Sequence, residues 1–378
     1  MSNFKPVGGK LLSTSMVVLS ILTFIGFAIV MERFGSGLGA VTNLNNGYPW
    51  GLWVVMDIVV GTGFACGGFV LAFVVYVLNK GKYHPLVRPA ILASLFGYAM
   101  GGLSAFIDMG RYWNFYNMLL PQHQNYNSVL LEVALCVAAY VVVLMIEFAP
   151  AALEARKSVS REKLEKILFF FIAVGILLPM MHQSSLGSLL ISLGQKVDPL
   201  WQSQQLMPLM ALVSVIIMGF SIVIFEASFS ALGFKRPTES RLLSGLAGGI
   251  VWLLAAWLVL RFGDLGMRGA LGNAFAGDLR GNMFLLETLL FAVPLAILAI
   301  KGNRSNGALL LVAAVSMLLA GSLYRINAFL IGFNASPGYT YFPSAGEIMV
   351  TVGIISFEIL LYILVVRRLP VLHAPAAA

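Results

Sequence analysis

His182, Asp57 and Glu132 are the residues from which proton chemistry could be built in this sequence. His182 stands in the run Pro179-Met180-Met181-His182-Gln183-Ser184-Ser185, inside a long apolar stretch. An imidazole there can donate or accept a hydrogen bond and titrate near neutral pH. Those properties suit holding a carbonyl and delivering its proton. Asp57, Glu132 and the pair Asp108 and Arg111 also lie within or at the ends of apolar stretches. Ionisable groups are costly in such places and mark functional candidates. A second acidic set, Glu147, Glu226 and Glu358, with Ser221 beside Glu226, could pass protons. Each candidate has a plainer alternative. His182 can be satisfied by a helix neighbour, Asp108 and Arg111 are spaced for a local i, i+3 pair, and the carboxylates can serve only to orient helices. Arg325, Asp264, Asp278, Glu287 and Glu347 form a candidate structural set in the second half of the chain.

Composition says what must position these groups. The 378 residues are 59% hydrophobic and 11% charged, with a mean hydropathy of +0.90, against about 25% charged in an ordinary soluble domain. Apolar runs long enough to cross a bilayer fall at 12–31, 51–79, 89–107, 127–152, 166–193, 208–232, 243–261, 282–300, 307–330 and 347–367. The first is too long for the core of a cleaved leader and reads as a retained anchor. The fifth carries Pro179 and Gly187 and is expected to be broken. The fold class is therefore an all-α integral membrane protein of about ten transmembrane helices, arranged as helical bundles in a single polytopic domain over 1–378.

Basic residues test that count. With the N-terminus inside, the inside segments hold Lys5 and Lys10, then Lys80, Lys82 and Arg88, then Arg156, Lys157, Arg161, Lys163 and Lys166. They continue with Lys235, Arg236 and Arg241, then Lys301 and Arg304, then Arg367 and Arg368. The outside holds Arg33, Arg111, Lys196, Arg261, Arg268 and Arg280, and Arg325 falls within a span. This bias predicts N-in, C-in and an even number of spans. It also accounts for the net charge of +8 without nucleic acid. On this topology Asp57, Asp108, Arg111, Glu132 and His182 share one outer layer, while Glu147 and Glu226 lie toward the inside and Glu358 near the middle. Broken helices and midplane charges also mark secondary transporters, but no inverted repeat is evident.

Cys66 and Cys136 both lie in apolar segments and read as packing residues; two thiols cannot hold an iron–sulfur cluster. One buried histidine does not supply an axial pair for haem, and no phosphate-binding glycine loop or zinc spacing appears. The expectation is therefore no haem, iron–sulfur cluster, flavin or metal in this chain, with electrons arriving from a partner and leaving on a diffusible carrier.

Several runs carry a resemblance. Tyr48-Pro49-Trp50-Gly51, Gly61-Thr62-Gly63-Phe64-Ala65-Cys66-Gly67-Gly68 and Tyr83-His84-Pro85-Leu86-Val87-Arg88-Pro89 resemble the HybB-type membrane subunits of respiratory nickel–iron hydrogenases. So do Asp108-Met109-Gly110-Arg111-Tyr112-Trp113-Asn114, Met181-His182-Gln183-Ser184-Ser185, Pro199-Leu200-Trp201-Gln202-Ser203 and Ala274-Phe275-Ala276-Gly277-Asp278. The resemblance runs from about Gly8 to Pro370 and places the chain in the wider NrfD/polysulfide-reductase-C family. It implies a cofactor-free, quinone-interacting subunit of the bacterial inner membrane. Its partners would be a periplasmic ferredoxin-like iron–sulfur subunit and the large and small hydrogenase subunits. It also implies a menaquinone site near the outer face, carried onto Trp50, Asp57, Asp108, Arg111, Glu132, His182 and Ser185. The same resemblance leaves open a polysulfide, tetrathionate or nitrite reductase module, or an alternative-complex-III subunit.

Overall fold

A helix that is apolar on every side has to be buried in protein or lipid, and the described residues hold ten helices long and apolar enough to cross a membrane. The computed structural model describes residues 4–10, 12–155, 160–237 and 239–373. Arg156 and Lys157, and the side chains of Arg161 and Lys163, which were counted among the inside charges, lie outside the described residues. The helices are α1 (Thr14–Ser36), α2 (Trp53–Val77), α3 (Val87–Asp108), α4 (Val129–Ala155) and α5 (Ser160–Leu193). They continue as α6 (Met207–Gly233), α7 (Ser240–Met267), α8 (Leu279–Ala299), α9 (Gly307–Ile331) and α10 (Ala345–Arg368). By length and composition all ten can cross a membrane, and the chain is a multi-pass integral membrane protein.

Local chemistry sets several helix starts. Ser13, Asp278, Asn306 and Ser344 each accept a hydrogen bond from a first-turn backbone N–H, which satisfies groups a helix start leaves unpaired. Ser344 and Glu347 complete a reciprocal capping box. α1 packs along α10, α4 along α5, α8 along α9, and α6 against α5 and α9. The α1–α10 crossing depends on glycine: a Cβ on Gly26 would lie 2.7 Å from the Gly353 Cα, and the reverse is equally tight. Close backbone approach through small residues is the usual way membrane helices gain contact.

The irregular span is not the one expected. α5 runs through Pro179 as one α-helix. α2 instead changes geometry repeatedly: Trp53–Val60 is π-helical, Gly61–Phe64 is α-helical, the chain turns at Ala65 and Cys66, and Gly67–Ala72 and Phe73–Val77 follow as α and π. A proline costs its own N–H bond, but lipid-embedded helices tolerate that loss where neighbours re-satisfy the backbone. Only the turn at Ala65 and Cys66 falls in the run of small residues Gly61, Gly63, Ala65, Gly67 and Gly68; the π-helical parts, Trp53–Val60 and Phe73–Val77, are bulky and β-branched, and π-turns often coincide with functional sites.

The expected outer end is stitched shut. Trp50 Nε1 donates to Phe329 O at 2.8 Å, Trp53 Nε1 donates to Glu347 O at 3.0 Å, and Asn45 Nδ2 donates to Thr340 O at 2.8 Å. Tyr341 accepts from Leu52 N at 2.8 Å and donates to Glu347 Oε1 at 2.5 Å.

Candidate functional site

The centre of the molecule's polar interior is Thr62, on the α-helical turn between the two irregular parts of α2. Its hydroxyl donates to Ile58 O at 2.5 Å and accepts from Gln183 Nε2 at 3.0 Å. A threonine has one hydroxyl proton. His182 Nε2, 3.1 Å from the same oxygen, is therefore the donor there. That assignment makes Nδ1 an acceptor, and Nδ1 is buried with no hydrogen-bond partner. His182 itself is fully buried, with Tyr98 edge-on to its ring at 5.8 Å and Tyr140 packed on Tyr98 at 4.6 Å. The chain thus holds an imidazole with one nitrogen anchored and the other without a partner, an arrangement in which the neutral ring can act as a proton acceptor.

The network continues through Gln183. Its Oε1 accepts from Arg325 Nη2 at 3.2 Å, while Arg325 Nη1 reaches Ser214 Oγ at 3.2 Å and Met218 Sδ at 3.1 Å. Arg325 is buried and has no carboxylate partner among the described residues. It leaves the structural set in which the sequence placed it. That set otherwise divides into Glu287 with Arg261, Trp201 and Asn327, Asp264 with Arg268 and Ser203, and the two helix caps at Asp278 and Glu347. An apolar slot lined by Val59, Gln183, Leu186, Ala211, Arg325 and Phe329 opens beside the network.

Asp57 lies on the π-helical part of α2. Its Oδ2 accepts from Ser104 at 3.1 Å and from Thr351 at 3.3 Å, so α2, α3 and α10 meet on one carboxylate. Asp57 and His182 therefore both converge on α2, at Asp57 itself and at Thr62.

Other expected members stand elsewhere. α3 ends at Asp108, and Met109 is extended. The i, i+3 spacing therefore never becomes helical, and Arg111 is exposed with no ion pair to Asp108 among the described residues. Arg33 takes over that helix end. It is 2% exposed, donates to Ile107 O and Met109 O at 2.5 Å, and lies over the Phe34 and Tyr112 rings. Glu132 is exposed in the first turn of α4. Ser185 donates back to Met181 O at 2.8 Å and Ser221 to Ile217 O at 2.6 Å, so both hydroxyls are spent on their own helices. Trp50 is committed to Phe329. Glu147 fills the notch that Gly175 leaves in α5, where a Cβ would collide with its carboxylate, and its Oε1 is unbonded. Glu226 accepts from Ser230 at 2.8 Å and from Tyr362; Ser230, not Ser221, is its serine. Thr62, Gln183, Ser104, Thr351 and Arg33 were missed. The one available signal was that Gln183 adjoins His182 and Thr62 lies in a glycine-rich run.

The polysulphide reductase, NrfD family model matches residues 40–334, which span every element of this network except α1 and α10. The chain belongs to the NrfD family. Similar members include the probable Ni/Fe-hydrogenase 2 b-type cytochrome subunit of Escherichia coli, 48% identical across 97% of this chain and 95% of that protein. The integral membrane subunit of a menaquinone reductase from Nitratidesulfovibrio vulgaris is 24% identical over 93% of this chain and 90% of its own length. A selenate reductase subunit from Mesobacillus selenatarsenatis is 25% identical over 94% and 93%. These NrfD proteins are named as subunits of oxidoreductase complexes, and a redox role follows for the family member described here.

One expectation is overturned. The sequence reading excluded haem, whereas the Escherichia coli relative is named a b-type cytochrome subunit, and a b-type cytochrome is a haem protein. The physical reason given, a single buried histidine, treats ligand count as if it excluded the group. A haem between helices is held by inward axial side chains such as His or Met. His182 is enclosed by Thr62 and Tyr98, and His84 and His123 are exposed. His373, half-buried, stands edge-on to Phe4 at 5.5 Å; among the described residues no two histidines are seen to face one another as an axial pair, and no step below runs through haem.

Proposed function

We propose that this chain is the quinone-reactive membrane subunit of a respiratory nickel–iron hydrogenase complex. The observation that carries the reading is the buried contact of His182, its Nδ1 without a partner, with Thr62 on the helix that also carries Asp57. The similarity to a hydrogenase membrane subunit over nearly the whole chain supplies the partner. Hydrogen oxidised on the outer side sends electrons through a ferredoxin-like iron–sulfur subunit to menaquinone held in the outer half of a single polytopic domain. His182 and Asp57 bind the ring and exchange its protons, Thr62 and Gln183 hold the imidazole, and Arg325 supplies a fixed positive field. The chain sits in the bacterial cytoplasmic membrane, N-in and C-in, with the docking face periplasmic.

A second reading keeps the fold and changes the partner, because menaquinone and selenate reductase subunits are also similar. Metal analysis of the complex that co-purifies in mild detergent separates the two. Nickel with iron supports the hydrogenase reading; molybdenum without nickel assigns the chain to another respiratory complex. Quinone reactivity is tested by His182→Gln and Asp57→Asn. Each should lower hydrogen-dependent reduction of a soluble menaquinone analogue by roughly 100-fold, the scale of general acid–base catalysis. Reduction of an artificial dye at the partner's own site should persist. Unchanged quinone turnover in both variants would leave the chain a structural anchor.

A further inference from the structure

We propose that α10 carries the proton route of this chain, from the inner end to Asp57, through Glu226, Tyr362 and Glu358. The proposal rests on the quinone reading above and names the side and path by which its protons arrive.

Thr351, Glu358 and Tyr362 are spaced seven and four residues apart on α10, so they lie on one helix face at successive depths. Each meets a polar group or a gap on a neighbouring helix. Thr351 donates to Asp57. The Glu358 Oε1 lies 3.4 Å from the position a Cβ would take on Gly97 of α3, so this carboxylate faces the interior of the bundle. The Tyr362 hydroxyl donates to Glu226 Oε1 on α6, which Ser230 also meets. Three polar groups facing inward on one span are costly to maintain in a bilayer unless they are used.

An independent feature supplies the entrance. Glu226 and Ser230 line a cavity at the inner end, together with Arg236, Glu239, Pro85 and His373. Its volume of about 50 Å³ has room for water against these polar walls. Arg236 donates to His373 O, which fixes the rim. The route then has two open intervals: the single helical turn between Tyr362 and Glu358, and the two turns between Glu358 and Asp57, about 10 Å along the axis. Ala65, Gly97, Gly101 and Ser104 flank the longer one. A Cβ on Gly97 would meet Ala65 at 2.6 Å and one on Gly101 would meet Asp57 O at 3.1 Å, so α2 and α3 pack closely beside this interval, and the route requires water to enter between them. Among the described residues, Glu132, Glu147 and Ser221 make no hydrogen bond to the α10 face that carries Thr351 to Asp57.

In this route the Tyr362 hydroxyl takes a proton from Glu226 and gives its own to Glu358, which passes one to Asp57. For each menaquinone reduced, two electrons arrive from the partner's one-electron carrier. Two protons come up α10, and the two O–H bonds of the quinol form at the former carbonyl oxygens. Hydrogen oxidation supplies the electron pair and releases its two protons on the outer side.

The test uses the intact complex in proteoliposomes whose lumen faces the inner end and holds a pH-sensitive dye, with hydrogen and a soluble menaquinone analogue supplied. The wild type should make the lumen alkaline as quinone is reduced. Glu358→Gln and Tyr362→Phe should each lower both rates at least ten-fold, with Glu358→Asp restoring part. Ser316→Ala, whose hydroxyl bonds Leu290 O in α8, should behave as wild type. Dye reduction by the partner identifies variants that are assembled. If assembled Glu358→Gln and Tyr362→Phe complexes reduce quinone and alkalinise the lumen at wild-type rates, the route is overturned and the quinone reading stands. If the wild type oxidises hydrogen with artificial dye but reduces no quinone, the quinone reading falls and takes the route with it.

Discussion

At the scale of single residues, the proposed site centres on a polar atom that serves several partners. Thr62 Oγ1 is such an atom, joining Ile58, Gln183 and His182. Thr62→Val keeps the side-chain shape and strands two buried donors, at about 1–3 kcal/mol each. The expected result is a lower unfolding temperature in detergent and at least a roughly ten-fold loss of quinone turnover, with Thr62→Ser close to wild type. Turnover unchanged in Thr62→Val would remove Thr62 from the site. Tyr341 joins the outer loops in the same manner. Burial, and then its bond to Glu347, push its hydroxyl above the ordinary tyrosine range. A folded pKa raised above the unfolded value of about 10 gives a contribution that is complete below pH 10 and lost only as pH rises further. Tyr341→Phe should therefore lower the melting temperature by the same amount at pH 7 and pH 9. A gap that narrows across that window would contradict the assignment.

At the scale of elements, the two informative helices are α2 and α10. Sequence reasoning expected disruption at Pro179, because proline lacks an N–H, yet α5 passes through it unbroken and α2 deforms without a proline. Proline is visible in a sequence; whether a bulky apolar run such as Trp53–Val60 winds as α or π depends on what packs around it. α10 is held by α1 through Gly26 and Gly353. Gly353→Val would force the helices apart, at about 1–3 kcal/mol for overpacking, and would shift the Thr351 face relative to Asp57. The prediction is a destabilised protein with impaired quinone turnover, while Gly249→Ala, which meets nothing within 4 Å, changes neither. Equal behaviour of the two variants would show that the crossing does not hold α10 in place.

At the scale of the whole molecule, the basic residues predict an orientation that can be tested chemically. With Cys66 and Cys136 replaced, a cysteine at Ser336 should react with a membrane-impermeant maleimide in intact cells. One at Ser305 should react only after permeabilisation, since the Lys301 and Arg304 segment is expected inside. The opposite pattern would invert every assignment of inner and outer made above, including the side from which protons enter. The apolar run lengths made the ten spans legible, because they follow from transfer to lipid and need no knowledge of neighbours; the charge bias predicts the orientation on the same footing, and the labelling experiment tests it.

The candidate site was legible only in its most anomalous members. Asp57 and His182 stand out because ionisable groups in apolar runs are rare. Thr62, Gln183 and Tyr362 do not, since hydroxyls and amides are ordinary in membrane helices and gain meaning only from a partner. The i, i+3 spacing of Asp108 and Arg111 was a sound local inference, but α3 ends at Asp108 and Arg33 from α1 occupies its C-terminal carbonyls instead. By itself, then, the sequence determined the membrane class, the ten helices and the anomalous acids and histidine, all of which are properties of one segment in one solvent. The tertiary structure alone decided that His182 and Gln183 share Thr62, that Arg325 leaves the acidic set for Gln183, and that α10 reaches both Asp57 and Glu226. Those are pairings between segments up to 294 residues apart, and which polar groups meet is settled by how helices cross.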